Sequence, residues 1–210
     1  MNGKTHRFMT KTASAKCDFT TFKLNQNETD LLLQYSVMPD EDEGDELYKY
    51  HFYNPATGLN YKGEKDSAVL RMRDHFEKAL SYKTERNKTN YLQELGRSIH
   101  FLQDICTPVH TYYEDSFDAV VRVKQHMDFE NYCDTLHNKI NLEQYYAEFV
   151  IKDPLSLKDL GKAYAIQSNY DFYKLDMTTQ GSPEYLTVAV NSVKRGIMAG
   201  LSLIERAERY

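Results

Sequence analysis

Apolar residues recur at helical spacing along most of the chain. In residues 90–105 they follow one another at steps of three and four, at Leu92, Leu95, Ile99 and Leu102. From Pro183 to about Arg209 they form one continuous stripe: Leu186, Val190, Val193, Ile197, Leu201 and Ile204. Such periods are typical of amphipathic helices, and a proline suits a first helical turn. The pattern predicts an all-α protein with no sheet.

Weaker helical patterns fill much of the remaining chain. They predict helices at Lys4–Cys17, Asn27–Tyr35, Asp66–Tyr82, Phe117–Leu136 and Leu155–Tyr173. Residues 38–46, which are acidic around a proline, and residues 51–58, which contain Asn-Pro and Thr-Gly, read as loops. A chain of 210 residues without repeats or linkers suits one helical-bundle domain over residues 1–210.

Charge and composition narrow the possible functions. The chain has 26 basic and 31 acidic residues, so its net charge of −5 gives no electrostatic basis for binding duplex nucleic acid. A phosphate substrate stays possible, because bound metal ions can supply positive charge. No apolar run is long enough for a transmembrane helix. The widely spaced Cys17, Cys106 and Cys133 predict reduced residues rather than disulfides or a cysteine-rich zinc site.

Histidines and acidic residues form two similar pairs on predicted helices. His100 and Asp104 are four residues apart, as are His126 and Glu130, and His110 lies on the turn between them. Residues four apart project from the same side of a helix, so the two pairs could surround metal ions inside a bundle. Imidazole and carboxylate ligands without thiolates suit zinc in hydrolytic sites. The alternatives are surface ion pairs, or a helical bundle whose histidines are coincidental.

Residues 96–130 carry a recognisable signature. It consists of a Gly, then His-x-x-x-Asp, Pro-x-His and finally His-x-x-x-Glu. This resembles the bacterial zinc-dependent phospholipases C, which include the phosphatidylcholine-cleaving enzymes and the alpha-toxins. His51-Phe52-Tyr53-Asn54-Pro55 is similar to the family's His-Phe-Tyr-Asp-Pro segment, with Asn in place of Asp. His6 and Asp40 stand where that family has an N-terminal helix histidine and a metal-binding aspartate.

The resemblance, which spans residues 5–130, implies up to three zinc ions. One would be held by Asp40, His51, His100 and Asp104, a second by His110, His126 and Glu130, and a third by His6 with Asp104 bridging. The family completes the third site with an N-terminal Trp, and this sequence contains no Trp. Two to three ions are therefore expected.

The resemblance also implies a helical fold of the phospholipase C and zinc-nuclease type, and a reaction. A phospholipase C would release diacylglycerol and a phosphorylated headgroup, with Asp40 as the candidate general base. Without the C-terminal lipid-binding β-domain of some family members, at most peripheral membrane contact is expected. The family is typically secreted, whereas the polar N-terminus shows no signal peptide, so a cytoplasmic location is the alternative.

Two other functions fit the same residues. One is a single-strand nuclease of the same fold, although such nucleases typically have Asp where this chain has Glu130. The other is a metal-binding family member without turnover, which the missing third-site ligand would favour.

Overall fold

The computed structural model describes residues 3–18, 20–43, 48–111, 119–138, 156–176 and 178–210. Throughout these residues the regular structure is helical, and no strand occurs among them. The α-helices are α1 Gly3–Lys16, α2 Gln26–Tyr35, α3 Pro39–Asp42, α4 Ala68–Thr84, α5 Lys88–Ile105, α6 Ala119–Asp134, α7 Leu157–Asp176 and α8 Pro183–Arg209. Short 3-10 turns lie at Thr20–Phe22, Lys49–His51 and Pro108–His110. The all-α prediction is confirmed.

Helix α5 lies at the centre of the fold. It packs against α2, α4 and α8, and every residue from Ser98 to Ile105 is buried. Apolar residues of this stretch join the main core, but Ser98, His100, Gln103 and Asp104 are buried with them. Burying polar groups is costly unless they find partners. The middle of α5 therefore places polar side chains inside the hydrophobic core.

Two local features differ from the sequence prediction. Helix α2 begins at Gln26, one residue before the predicted start at Asn27, because Asn25 caps it and forms a reciprocal capping box with Glu28. The segment predicted as an acidic loop contains the short helix α3, whose first residue is Pro39. Proline and acidic residues both favour the first turn of a helix. The predicted helix starts at Phe117 and Leu155 lie outside the described residues.

A buried ion pair ties the last two helices to the end of α5. Arg195 on α8 donates to the Asp171 carboxylate on α7 and, at 3.1 Å, to the Cys106 carbonyl oxygen. Cys106 itself is fully buried and free, as the sequence predicts, and burial raises the pKa of its thiol. None of the described helices combines the length and apolar character needed to cross a bilayer.

Gly96 sets the distance between α5 and α2. A Cβ atom at this position would lie 2.9 Å from the Leu32 carbonyl oxygen and 2.9 Å from the Tyr35 Cβ. Part of this contact is backbone, which cannot move aside as a flexible side chain can. Any larger residue at Gly96 would therefore push the two helices apart.

We expect Gly96→Ala to lower the free energy of unfolding by about 1–3 kcal/mol, because overpacking outweighs the better helix propensity of alanine. Denaturant-induced unfolding measures this change. Gly200→Ala on α8 is the matched control, because a Cβ there would meet its nearest neighbour, the Ala13 Cβ, at 3.3 Å. A loss at Gly96 no larger than at Gly200 would show that α2 moves aside without cost.

Candidate metal centre

The fold brings together the eight residues that the sequence marked as candidate ligands. They come from α1, α3, α5, α6 and the two 3-10 turns at Lys49–His51 and Pro108–His110. Their donor atoms form three sets, and within each set all atoms lie within 4.8 Å of one another: His6, Asp40 and His100; His51, His100 and Asp104; His110, His126 and Glu130. Residues separated by up to 124 positions thus share one site.

Four donor residues, from the first two of these sets, lie around one oxygen of Asp104. The Asp104 Oδ2 atom lies 2.8 Å from His51 Nδ1 and 3.2 Å from His100 Nε2. Asp40 joins this group, with Oδ1 3.4 Å from His100 Nε2 and 3.7 Å from His51 Nδ1. Two carboxylates and two imidazoles therefore point at one small volume.

The third set, His110, His126 and Glu130, centres on the Glu130 carboxylate. Its Oε1 atom lies 2.7 Å from His126 Nε2 and 3.0 Å from His110 Nε2. The other Asp104 oxygen, Oδ1, lies 3.9 Å from His110 Nε2 and 3.2 Å from His6 Nε2. Asp104 is therefore the carboxylate that all parts of the centre share.

Three of the histidines have their ring orientation fixed by oxygen atoms outside the centre. The contacts are His6 Nδ1 to Gln103 Oε1 at 2.8 Å, His100 Nδ1 to the Ser36 carbonyl at 3.0 Å and His110 Nδ1 to the His51 carbonyl at 3.0 Å. An oxygen of this kind can only accept, so each Nδ1 carries the proton and donates. In the neutral ring, Nε2 is then left with a lone pair.

These lone pairs face carboxylate oxygens, which also have only lone pairs to offer. The clearest case is His6 Nε2, which is buried, has no hydrogen-bond partner and lies 3.2 Å from Asp104 Oδ1. Two acceptors at this distance repel each other unless a cation lies between them. The same outer hydrogen bonds are the usual way in which proteins orient zinc-binding histidines. The residues present therefore fit a metal ion.

The electrostatics of the histidines agree with this arrangement. Burial lowers the pKa of His110 to about 4 and also lowers the pKa of His6, so both rings are neutral near neutral pH. His100 differs: burial opposes its charge, but Asp104 and Asp40 prevail and raise its pKa. Without a metal, a proton on His100 would supply part of the positive charge that the carboxylates need.

The Asp104 and Glu130 carboxylates stay ionised. Burial alone would raise the pKa of Asp104, but the groups around it, His100 and His110 among them, hold that pKa well below its usual range. Burial also opposes the charge of Glu130, yet the groups around it, His126 and His110 among them, keep its pKa well below its usual range. Neutral imidazoles and ionised carboxylates are the forms that bind metals.

Among the described residues, the exposed part of the centre is formed by Asp40 and His126, and we call it the open side. The Asp40 side chain is 33% exposed and that of His126 is 23% exposed, whereas those of His6, His100 and Asp104 are fully buried. Solvent therefore reaches candidate ligands on α3 and α6, whereas those on α1 and α5 are enclosed.

Sequence reasoning missed the residues that orient the ligands. Gln103 precedes Asp104 in the buried part of α5 and also donates to Thr10 at 3.1 Å, and its position in an apolar helix was the available signal. Ser36 acts through its backbone carbonyl, which every residue type has, so the sequence contains no signal for it. His75, which belongs to none of the pairs or motifs singled out in the sequence, is buried between Glu43 and Glu94.

Comparison with known families agrees with this geometry. Residues 5–195, a range that includes all eight candidate ligands, match the family described as zinc dependent phospholipase C. The chain belongs to the zinc-dependent phospholipase C family. Its members depend on zinc and act on phospholipids, and the resemblance found in the sequence is confirmed. No curated protein sequence matches the chain.

Two solved toxin structures share the fold. Alpha toxin from Clostridium absonum has a TM-score of 0.72 at 18% identity, covering 98% of this chain and 64% of the toxin. Alpha-toxin of Clostridium perfringens from avian strain SWCP has a TM-score of 0.71 at 19% identity, covering 98% of this chain and 63% of the toxin. This chain thus spans less than two thirds of either toxin, and identities this low establish the fold alone.

We expect Glu130→Gln to weaken zinc binding by more than about 100-fold, because even the outer partners of metal ligands are worth 10–100-fold. Zinc content after dialysis, measured by plasma emission, checks this. Glu208→Gln is the matched control, since Glu208 is also buried but contacts Lys83 and Tyr91 instead. Equal zinc content in both variants would contradict the assignment of Glu130.

Proposed function

We propose that the chain is a zinc-dependent phosphodiester hydrolase, and more specifically a phospholipase C that releases diacylglycerol and a phosphorylated headgroup. Family membership supports the general activity. The observation that carries the proposal is the set of oriented histidines whose Nε2 lone pairs face buried carboxylates. Such a centre, with one open side, suits hydrolysis better than a purely structural role, since structural zinc sites are closed.

We assign the candidate ligands to three positions. The first comprises Asp40, His51, His100 and Asp104; the second comprises His110, His126 and Glu130; the third comprises His6 with Asp104 shared. Zinc bound there would neutralise phosphate charge and make water a stronger nucleophile at neutral pH. The third position offers the fewest protein ligands, so we expect the weakest binding there.

The exposure of the two aspartates gives them different roles. Asp104 is fully buried and shared among histidines, so its role is to provide negative charge and not to act as a general base. Asp40 lies at the open side, where water and substrate arrive, and it is our candidate general base. The water oxygen joins phosphorus while Asp40 accepts its proton. The bond from phosphorus to the glycerol oxygen breaks, and that oxygen takes up a proton.

Turnover of two phosphodiesters tests this proposal. We expect the zinc-loaded chain to release phosphocholine from short-chain phosphatidylcholine, to lose this activity with a chelator and to regain it when zinc is added. His100→Ala should abolish turnover, whereas His137→Gln should retain it, because His137 lies outside the donor sets. Single-stranded DNA is the second substrate in the same assay.

Each outcome has a distinct meaning. Cleavage of DNA but not of lipid would replace the phospholipase by a nuclease of the same fold. Two or three zinc ions per chain without turnover of either substrate would indicate a metal-binding member that is not an enzyme. Less than one zinc ion per chain, unrecoverable by adding zinc, would contradict the metal centre itself.

A further inference from the structure

Asp40 is carried by a much shorter element than the ligands of α5 and α6. Helix α3 contains only the four residues Pro39–Asp42, and no side chain caps its start. An isolated helix of this length has no stability of its own. The position of the Asp40 carboxylate must therefore be fixed by contacts between α3 and the rest of the protein.

Ion pairs directly after Asp40 provide these contacts. Arg97 on α5 donates from Nη1 to Asp42 Oδ1 at 2.8 Å, and it also pairs with the Glu43 carboxylate. Arg71 on α4 lies 3.6 Å from the other Glu43 oxygen. Glu43 and Arg97 are only 14% and 13% exposed, so the centre of this ion-pair network is shielded from solvent, although Asp42 and Arg71 at its margin are more exposed. It ties the end of α3 to both α4 and α5.

His75 on α4 completes this network. Its Nε2 atom lies 3.0 Å from Glu43 Oε2, and its Nδ1 atom lies 2.6 Å from Glu94 Oε2. Ionised carboxylates only accept, so both ring nitrogens must donate, which requires the imidazolium form. Burial opposes this charge, but Glu43 and Glu94 prevail and raise the pKa of His75. Burial also opposes the charge of Glu43, while His75 and Arg97 lower its pKa to about 2.

One aromatic ring separates this network from the metal centre. Phe101 stacks on His75 at 5.7 Å with an angle of 8° between the rings, and it also contacts His51 at 5.1 Å. The other charged groups that share the cavity beside His75 are Asp42, Arg71, Asp74, Lys78 and Arg97. His75 therefore lies directly behind the ligands without contacting any of them.

We infer that His75 is a positioning residue, whose imidazolium bridges Glu94 to Glu43 and so holds α3 with the Asp40 carboxylate against His51 and His100. The inference rests on the proposed function only for the role of Asp40 in turnover. It gives His75 and Glu43 an indirect part in the reaction, because both act through the position of Asp40.

Loss of this bridge should be measurable in three ways. In His75→Gln we expect faster hydrogen exchange of the amides from Asp40 to Glu43, zinc affinity lowered about 10–100-fold, and kcat lowered by a similar factor with KM nearly unchanged. Glu43→Gln should produce changes at least as large, because it also removes the pairs with Arg97 and Arg71. Adding His75→Gln to Glu43→Gln should not enlarge them, because the bridge is already lost. Mass spectrometry, zinc competition and phosphatidylcholine hydrolysis give these readouts.

Lys83→Gln is the control on the same helix. It removes contacts to Glu208 and to the Ala207 carbonyl oxygen at the far end of α4, away from α3. It should lower thermal stability without changing any of the three readouts. If His75→Gln behaves like Lys83→Gln, His75 has a structural role only and the inference is wrong.

The readouts separate this inference from the proposed function. If the wild-type chain turns over no phosphodiester, amide hydrogen exchange and zinc affinity still decide the role of His75. Unchanged exchange at residues 40–43 in His75→Gln overturns the inference, whatever the activity. Faster exchange with unchanged zinc affinity also overturns it, since Asp40 would then not depend on the bridge.

Discussion

The need to neutralise one buried carboxylate governs this structure. Asp104 is fully buried in the middle of α5, and its two oxygens face nitrogens of His6, His51 and His100. A buried charge without partners costs several kcal/mol. The segments that carry these histidines must converge on α5 for the fold to tolerate Asp104. Folding of the core and assembly of the metal centre are therefore the same event, and we expect zinc to stabilise the native state.

The candidate ligands are held in two different ways. His100 and His110 are oriented by backbone carbonyl oxygens, which can move only if whole segments move. Asp40, by contrast, lies at the open side on a single helical turn, and ion pairs to neighbouring helices hold that turn. The geometry of the buried side thus depends on backbone atoms, whereas the position of Asp40 at the open side depends on side-chain ion pairs.

The fold, and the candidate ligands that it brings together, were largely predictable from the sequence. Apolar residues at steps of three and four mark α5 and α8, and the four-residue spacing of His100 and Asp104 places both on one face of a helix. The grouping of distant ligands came from resemblance to a family, because spacing along the chain cannot bring His6 to Asp104. The roles of Ser36 and His75 could not be predicted, since each depends on which helices become neighbours. Helix α3 was interpreted as a loop because four residues are too few to show a period.

The close packing at Gly96 affects the candidate metal centre as well as stability. Gly96 lies one turn before His100 on α5, and the space left by its missing side chain admits the end of α2. The residue that follows α2, Ser36, provides the carbonyl oxygen that orients the His100 ring. Gly96, which has no side chain to bind a metal, therefore helps to set the direction of the His100 Nε2 lone pair. Transplanting the eight ligands into another helical bundle would not reproduce the centre unless the separation between two of its helices were copied as well.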